Sequence, residues 1–241
     1  MITKSLFAAW NPTETLLERF QTLHHSLEAK DNARLEVTMS LIVNNQIRPL
    51  YGFNAQLFLD NWQKSPLLLE GVRLGNGVSI ALFDPYRIGD KDTSTMPMSF
   101  TKRLAVLVKG VISNLSEIQA DLSYYGCPHH VYMPDDVILY LLNHYLETDW
   151  MSPIGAMRRL MKRLKGHFVL MVLITDGEWL MVGCHDEPLM IGGDSPPIYF
   201  GTDFDAVAHL SQSSISIVDK KTVLFCMTPF QTELLTPIII D

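Results

Sequence analysis

Few groups in this chain combine useful chemistry with useful spacing. Cys184-His185-Asp186 sets a thiol, an imidazole and a carboxylate side by side. Catalytic partners must converge in space, however, and consecutive residues at a strand end point apart, so a structural role is expected for all three. Cys127-Pro128-His129-His130 offers metal-ligating side chains without a second matching pair, and His24-His25 lies in a helical pattern where neighbours diverge. Neither is expected to hold a metal. The basic run Arg158, Arg159, Lys162, Arg163 and Lys165 alternates with Ile154, Met157, Leu160, Met161 and Leu164, which predicts the solvated side of an amphipathic helix rather than an anion site.

The stretch 103–126, RLAVLVKGVISNLSEIQADLSYYG, is more informative. An apolar strand pattern from Leu104 to Val108 meets a Lys109-Gly110 step, read as a turn, and then a helix with Ile118, Leu122 and Tyr125 at helical spacing. Asn114 is placed to cap that helix and Glu117, three positions on, to reach back to the cap. At the step, Lys109 can pair with an acid, bind an anion or face solvent. A second helix is opened by Pro134, and Asp135 and Asp136 in its first turn complement the helix dipole.

The elements that must position these groups are well punctuated. Residues 2–9 read as a strand, and Asn11-Pro12-Thr13-Glu14 opens a helix whose buried stripe is Leu16, Leu17, Phe20, Leu23 and Leu27. Strands Leu35 to Val43 and Gln46 to Phe53 flank Asn44-Asn45, a pair suited to a tight hairpin. A short helix at 54–63 and a strand Val78 to Phe83 follow, and 84–101 reads as an irregular loop. After the helix begun by Ser152-Pro153 the chain is strand-rich, with strands at 167–175, 178–184, 187–192, 197–201, 214–218, 221–228 and 231–236 and a short helix at 203–211. With no linker, repeat or low-complexity tract, residues 1–241 are expected to form a single domain. Two antiparallel sheets packed face to face with helices outside would bury both strand groups.

Composition narrows the function classes. With 47% hydrophobic residues a sizeable core is expected, and a net charge of −7 argues against a general nucleic-acid binder. The longest apolar run, Phe168 to Ile174, is well short of the roughly 20 residues of a membrane helix, and the first residues make a poor secretory signal. Three widely spaced cysteines fit reduced thiols, so a cytoplasmic location is expected.

Taken together, these motifs resemble the class II glutamine amidotransferase domain, in particular the glutaminase half of glucosamine-6-phosphate synthase. LAVLVKGVISNLSEIQADLSYYG is similar to that family's strand, His-Asn-Gly turn and Ile-Ile-Glu-Asn helix entry. Met133-Pro134-Asp135-Asp136-Val137-Ile138 falls where the family has Thr-Asp-Thr-Glu-Val-Ile, and Glu187-Pro188-Leu189-Met190-Ile191-Gly192 where it has Ser-Pro-Leu-Val-Ile-Gly. Gly201-Thr202-Asp203 falls where it has Ala-Ser-Asp before a short helix. The separation of Met1 from Leu16-Leu17-Glu18 equals the family's separation of its N-terminal cysteine from a Leu-Leu-Glu helix.

The resemblance implies an α+β fold, the four-layer αββα sandwich of N-terminal-nucleophile hydrolases. It also implies a reaction in which an N-terminal cysteine attacks the side-chain amide of glutamine while the α-amino group serves as base. No cofactor and no metal are implied. Position by position, however, the catalytic groups are replaced. Met1 and Ile2 offer no thiol, Val108-Lys109-Gly110 replaces His-Asn-Gly, and Leu82 stands at the carboxylate-binding arginine. Met96-Pro97-Met98 replaces a His-Pro-His, and Pro134 the ammonium-binding aspartate.

The expected reading is a catalytically inactive glutaminase-like domain with no catalytic residue of its own. It would bind a protein partner or a small molecule in a relict cleft around Lys109, Gly110, Asp135 and Leu82. Two alternatives stand beside it. One is an amidohydrolase of altered chemistry, through processing to Thr3 or Ser5 or through a pocket of Lys109, Asp135 and the 84–101 loop. The other is a structural subunit of a larger assembly.

Overall fold

The computed structural model describes residues 7–10, 35–43, 46–52, 80–87, 99–126, 133–194, 197–211, 213–219, 221–228 and 236–240. The helices expected near 11–27 and 54–63, and Cys127 to His130, lie outside the described residues. Two antiparallel sheets carry the fold. The first contains β1 (Phe7–Trp10), β2 (Leu35–Val43), β3 (Gln46–Gly52), β4 (Ile80–Arg87), β9 (Leu189–Gly192), β10 (Ile198–Gly201) and β11 (Ile215–Val218), in the order β11-β9-β10-β1-β4-β2-β3. The second contains β5 (Ser99–Phe100), β6 (Leu104–Ile112), β7 (Gly166–Ile174), β8 (Trp179–His185), β12 (Val223–Met227) and β13 (Ile238–Ile239), in the order β13-β12-β8-β7-β6-β5. The helices are α1 (Leu115–Tyr124), α2 (Pro134–Glu147), α3 (Pro153–Arg163) and α4 (Phe204–Leu210).

The second sheet is buried on both faces, and its sequence alternates accordingly. From β6, β7, β8 and β12, side chains such as Val106, Leu170, Met181 and Leu224 join α1, α2 and α3 in one core. Their neighbours Leu107, Met171, Val182 and Phe225 point the other way and meet Ala8, Ile42, Ile191 and Phe200 of the first sheet in a second core. Period-two alternation between two apolar environments reads as an unbroken apolar run, which is why Phe168 to Ile174 contains no polar residue. The helix layer lies close against the sheet at Gly183, where an added Cβ would fall 2.7 Å from Met161 Sδ. On the first sheet, α4 packs on β9 and β10. The result is a layered α+β sandwich, as expected.

Several expectations change in detail. β2 and β3 pair antiparallel as expected, with Val43 opposite Gln46; Asn44-Asn45 lie outside the described residues. The stretch 84–101 is not irregular at its ends. β4 continues to Arg87 because β2 offers a ladder as far as Leu35, and Ser99–Phe100 pairs with β6. Among the described residues, Pro85 pairs with Val37 of β2, two positions beyond the Phe83–Phe7 pair of β4 and β1. The last strand is described at Ile238–Ile239, whereas 229–235 lie outside the described residues.

The expected capping box at Asn114 does not form. Its side chain makes no cap hydrogen bond; Nδ2 donates to Arg163 O at 2.9 Å and Oδ1 accepts from Lys165 N at 3.0 Å. The amide is buried beside the α3–β7 connection, whose unpaired backbone groups draw it away from its own helix. By contrast, Ser152 and Asp203 do cap, accepting from Gly155 N at 3.2 Å and Ala206 N at 3.0 Å.

Candidate functional site

Lys109 and Gly110 lie within a strand, not at a turn. β6 runs through both without a break, with Lys109 opposite Val169 and Gly110 opposite Phe168. Glycine is required there on two counts. Its φ is +110°, and a Cβ would fall 2.2 Å from His167 O. A break in sequence pattern that suggests a turn is thus a glycine of unusual backbone angle inside a continuous ladder.

By the alternation of β6, Lys109 follows Ala105 and Leu107 toward the space between the sheets. There Nζ meets Glu187 Oε1 at 3.7 Å, with the two side chains only 13% and 23% exposed. Glu187 belongs to the connection from β8 in one sheet to β9 in the other. The ion pair thus spans the end of the inter-sheet core. Of the roles open to Lys109 in the sequence, pairing with an acid is the one formed.

Asp135 does not serve as a solvated dipole partner. It is 4% exposed, and its Oδ1 accepts from Val108 N at 2.7 Å. The reason lies in the ladder. Ser113 N donates to Lys165 O and Thr175 N to Arg103 O, so the odd-numbered residues of β6 bond toward β7 and Val108 N–H points to the opposite edge. Among the described residues, β5 covers that edge only opposite Ala105 and Val106. Asp135, presented by the first turn of α2, supplies the acceptor that a neighbouring strand would otherwise provide. Leu82 lies in the other sheet, with Ala8 and Ser40 as its register neighbours. Lys109, Gly110 and Asp135 therefore share one stretch of β6 and its edge, while Leu82 belongs to the facing layer.

Of the Cys184-His185-Asp186 run, His185 and Asp186 approach one another, with Nε2 3.8 Å from Oδ2, while Cys184 turns away. Cys184 faces the inter-sheet core and burial pushes its thiol up to about 11, while His185 stacks on Phe168 and shares a 2.6 Å hydrogen bond with Thr222 Oγ1. Cys226, on the helix side, is pushed up to about 12 by burial. In the basic run of α3, Arg159 pairs with Asp149 at 2.7 Å and lies over the Tyr145 ring, and Arg163 is half-buried, bound to Asp121 and Tyr145. The run is largely outward as expected, with Arg158, Arg159, Lys162 and Lys165 exposed and Arg163 partly buried.

Sequence inspection missed a hollow of about 380 Å³ between α2 and the 101–103 turn, lined by Thr101, Lys102, Arg103, Asp136, Leu139, Tyr140, Asn143 and Glu147. Its helical members recur on one stripe of α2, a periodicity visible in the sequence but indistinguishable there from an ordinary amphipathic face.

This layered sandwich has the architecture of the N-terminal-nucleophile amidotransferases. The glutamine phosphoribosylpyrophosphate amidotransferase of B. subtilis, solved with ADP and GMP, superposes with a TM-score of 0.70 over 98% of this chain and 49% of its own, at 13% identity. A structure described as the allosteric regulatory enzyme of purine biosynthesis gives the same TM-score and coverage at 14% identity. No protein-family model matches the chain. In sequence it is 31% identical over 120 residues to the glutamine–fructose-6-phosphate aminotransferase (isomerizing) of Bradyrhizobium diazoefficiens, and 30% identical over 121 residues to that of Rhizobium meliloti. Each match covers about half of this chain (49% and 50%) and 20% of the relative. The chain thus resembles glutamine amidotransferases in fold and, over about half its length, in sequence. No helix among the described residues is long and apolar enough to cross a membrane.

Proposed function

We propose that this domain is a glutaminase-fold module that does not hydrolyse glutamine and works by binding, either a small molecule in the relict cleft or a protein partner. The observation that carries this reading is the Lys109–Glu187 ion pair. Acyl transfer requires donors aimed at an oxygen that becomes negative, in a site from which competing charge is excluded. The resembling family places an asparagine at the position of Lys109 and a serine at that of Glu187. Here the donor is a cation already engaged by a carboxylate, and that carboxylate adds negative charge beside the place where the oxyanion would form. The two replacements fit one another and oppose the reaction together. Asp135, committed to Val108 N–H, supports the same reading, because it is not available to substitute for the aspartate that Pro134 displaces.

The test is ammonia release from L-glutamine by the full chain and by the K109N/E187S double variant. No release above the protein-free blank is expected from the natural chain. Ammonia release that saturates with glutamine and exceeds that blank would refute the non-hydrolytic reading.

A further inference from the structure

We propose that the hollow between α2 and the 101–103 turn binds a small monocarboxylate carrying its own hydrogen-bonding group, as an α-hydroxy or α-amino acid does. The hollow is separate from the Lys109 site. Its strand-side wall is the N-terminal approach to β6, whereas Lys109 and Gly110 lie in the C-terminal half of the strand. At about 380 Å³ it falls toward the lower end of the range of small-ligand pockets, about 300–1,000 Å³.

Part of the lining is already committed to the fold. The Arg103 guanidinium is held by Glu147 and Asp176, and the Thr101 hydroxyl accepts from Arg103 N at 3.2 Å and Leu104 N at 3.0 Å. These contacts make a preformed wall. Three groups remain for a ligand. Lys102 is exposed and has no carboxylate partner among the described residues. Tyr140 and Asn143 are half-buried, and neither the phenol nor the amide hydrogen-bonds to any described residue. An amide with two donors and an acceptor, partly withdrawn from water and unpaired, marks a place where a partner is missing. Buried Leu139 supplies an apolar surface beside them.

The charges select the ligand. One uncommitted ammonium matches one carboxylate, and the amide and phenol match a hydroxyl or amine next to it. Asp136 in the same wall disfavours a multiply charged anion such as phosphate more than a single carboxylate, Glu147 being engaged by Arg103.

The test is calorimetric titration of the full chain with L-serine, L-lactate, propionate and inorganic phosphate. Saturable binding of L-serine or L-lactate is expected, with propionate about fivefold weaker for want of the second hydrogen bond. Phosphate is expected to bind at least about tenfold more weakly than the better of the two. K102Q, at an exposed position that leaves folding intact, should weaken binding about tenfold, and N143A about fivefold. The proposal is overturned if neither L-serine nor L-lactate saturates, if phosphate binds as tightly, or if K102Q binds like the natural chain.

Discussion

Replacing Asp135 tests the account of the β6 edge directly. The carboxylate accepts from Val108 N at 2.7 Å, and both residues are buried, at 4% and 5% exposure. Asp135→Ala removes the acceptor without providing another, and leaves an N–H that water reaches poorly. A hydrogen bond to a charged group contributes about 1.5–3 kcal/mol, and an orphaned buried donor costs about 1–3 kcal/mol. These are two descriptions of one loss, so they are not added, and the expected destabilisation is about 2–3 kcal/mol. Against a typical total of about 5–15 kcal/mol that is a large fraction. Asp135→Asn keeps an oxygen at the same place and should cost about 1 kcal/mol or less, which separates the hydrogen bond from the charge. Urea unfolding followed by circular dichroism measures both, with the midpoint moving and the slope unchanged. If Asp135→Ala lies within about 0.5 kcal/mol of the natural chain, the carboxylate is not closing the edge and the reasoning fails.

Two further predictions rest on the same kind of accounting. Asn114→Ala should cost about 1–2 kcal/mol in the same urea experiment, because two hydrogen bonds to the α3–β7 connection are lost at a buried position, whereas Glu117→Ala should change stability by less than about 0.5 kcal/mol. Equal effects would restore the capping-box reading. In a Cys127→Ser background, Cys184 and Cys226 should react with a thiol reagent at about pH 8 only as fast as the protein opens, since burial pushes the thiols up to about 11 and about 12. Because those folded values lie above the unfolded ones, the thiols' contribution to stability is fully present below about pH 8.5 and is lost as pH rises toward about 11 and beyond. Stability that stays flat across that window, or fast labelling of the native protein, would contradict the burial of these residues.

The layers were legible in the sequence because their signals are local and redundant. Val43 and Gln46, either side of Asn-Asn in the sequence, pair across two strands, Pro134 and Pro153 open helices, and the strand pattern from Phe168 onward repeats at period two. What was not legible depends on groups distant in the chain. Asn114 has the type and spacing of a cap, yet residues 49 and 51 positions away claim its amide. Asp135 resembles every other acid in a first helical turn until Val108 N–H of β6 is placed against it. Lys109-Gly110 reads as a turn because a glycine with positive φ is commoner in turns than in strands, and only the pairing with β7 shows the ladder continuing through it.

The pairing of Lys109 with Glu187 shows how such distant information bears on function. Taken singly, each replacement relative to the resembling family is ambiguous: a lysine in place of an asparagine can still polarise a carbonyl, and a glutamate in place of a serine can be a solvated loop residue. They lie 78 positions apart in the chain and 3.7 Å apart in space. Once juxtaposed they neutralise one another at low exposure, a state that either alone would destabilise, since a partly buried charge without its partner pays the desolvation cost uncompensated. This mutual dependence has a consequence for engineering the site. K109N without E187S leaves a carboxylate unpaired at the end of the inter-sheet core, so the single variant is expected to be less stable than the double.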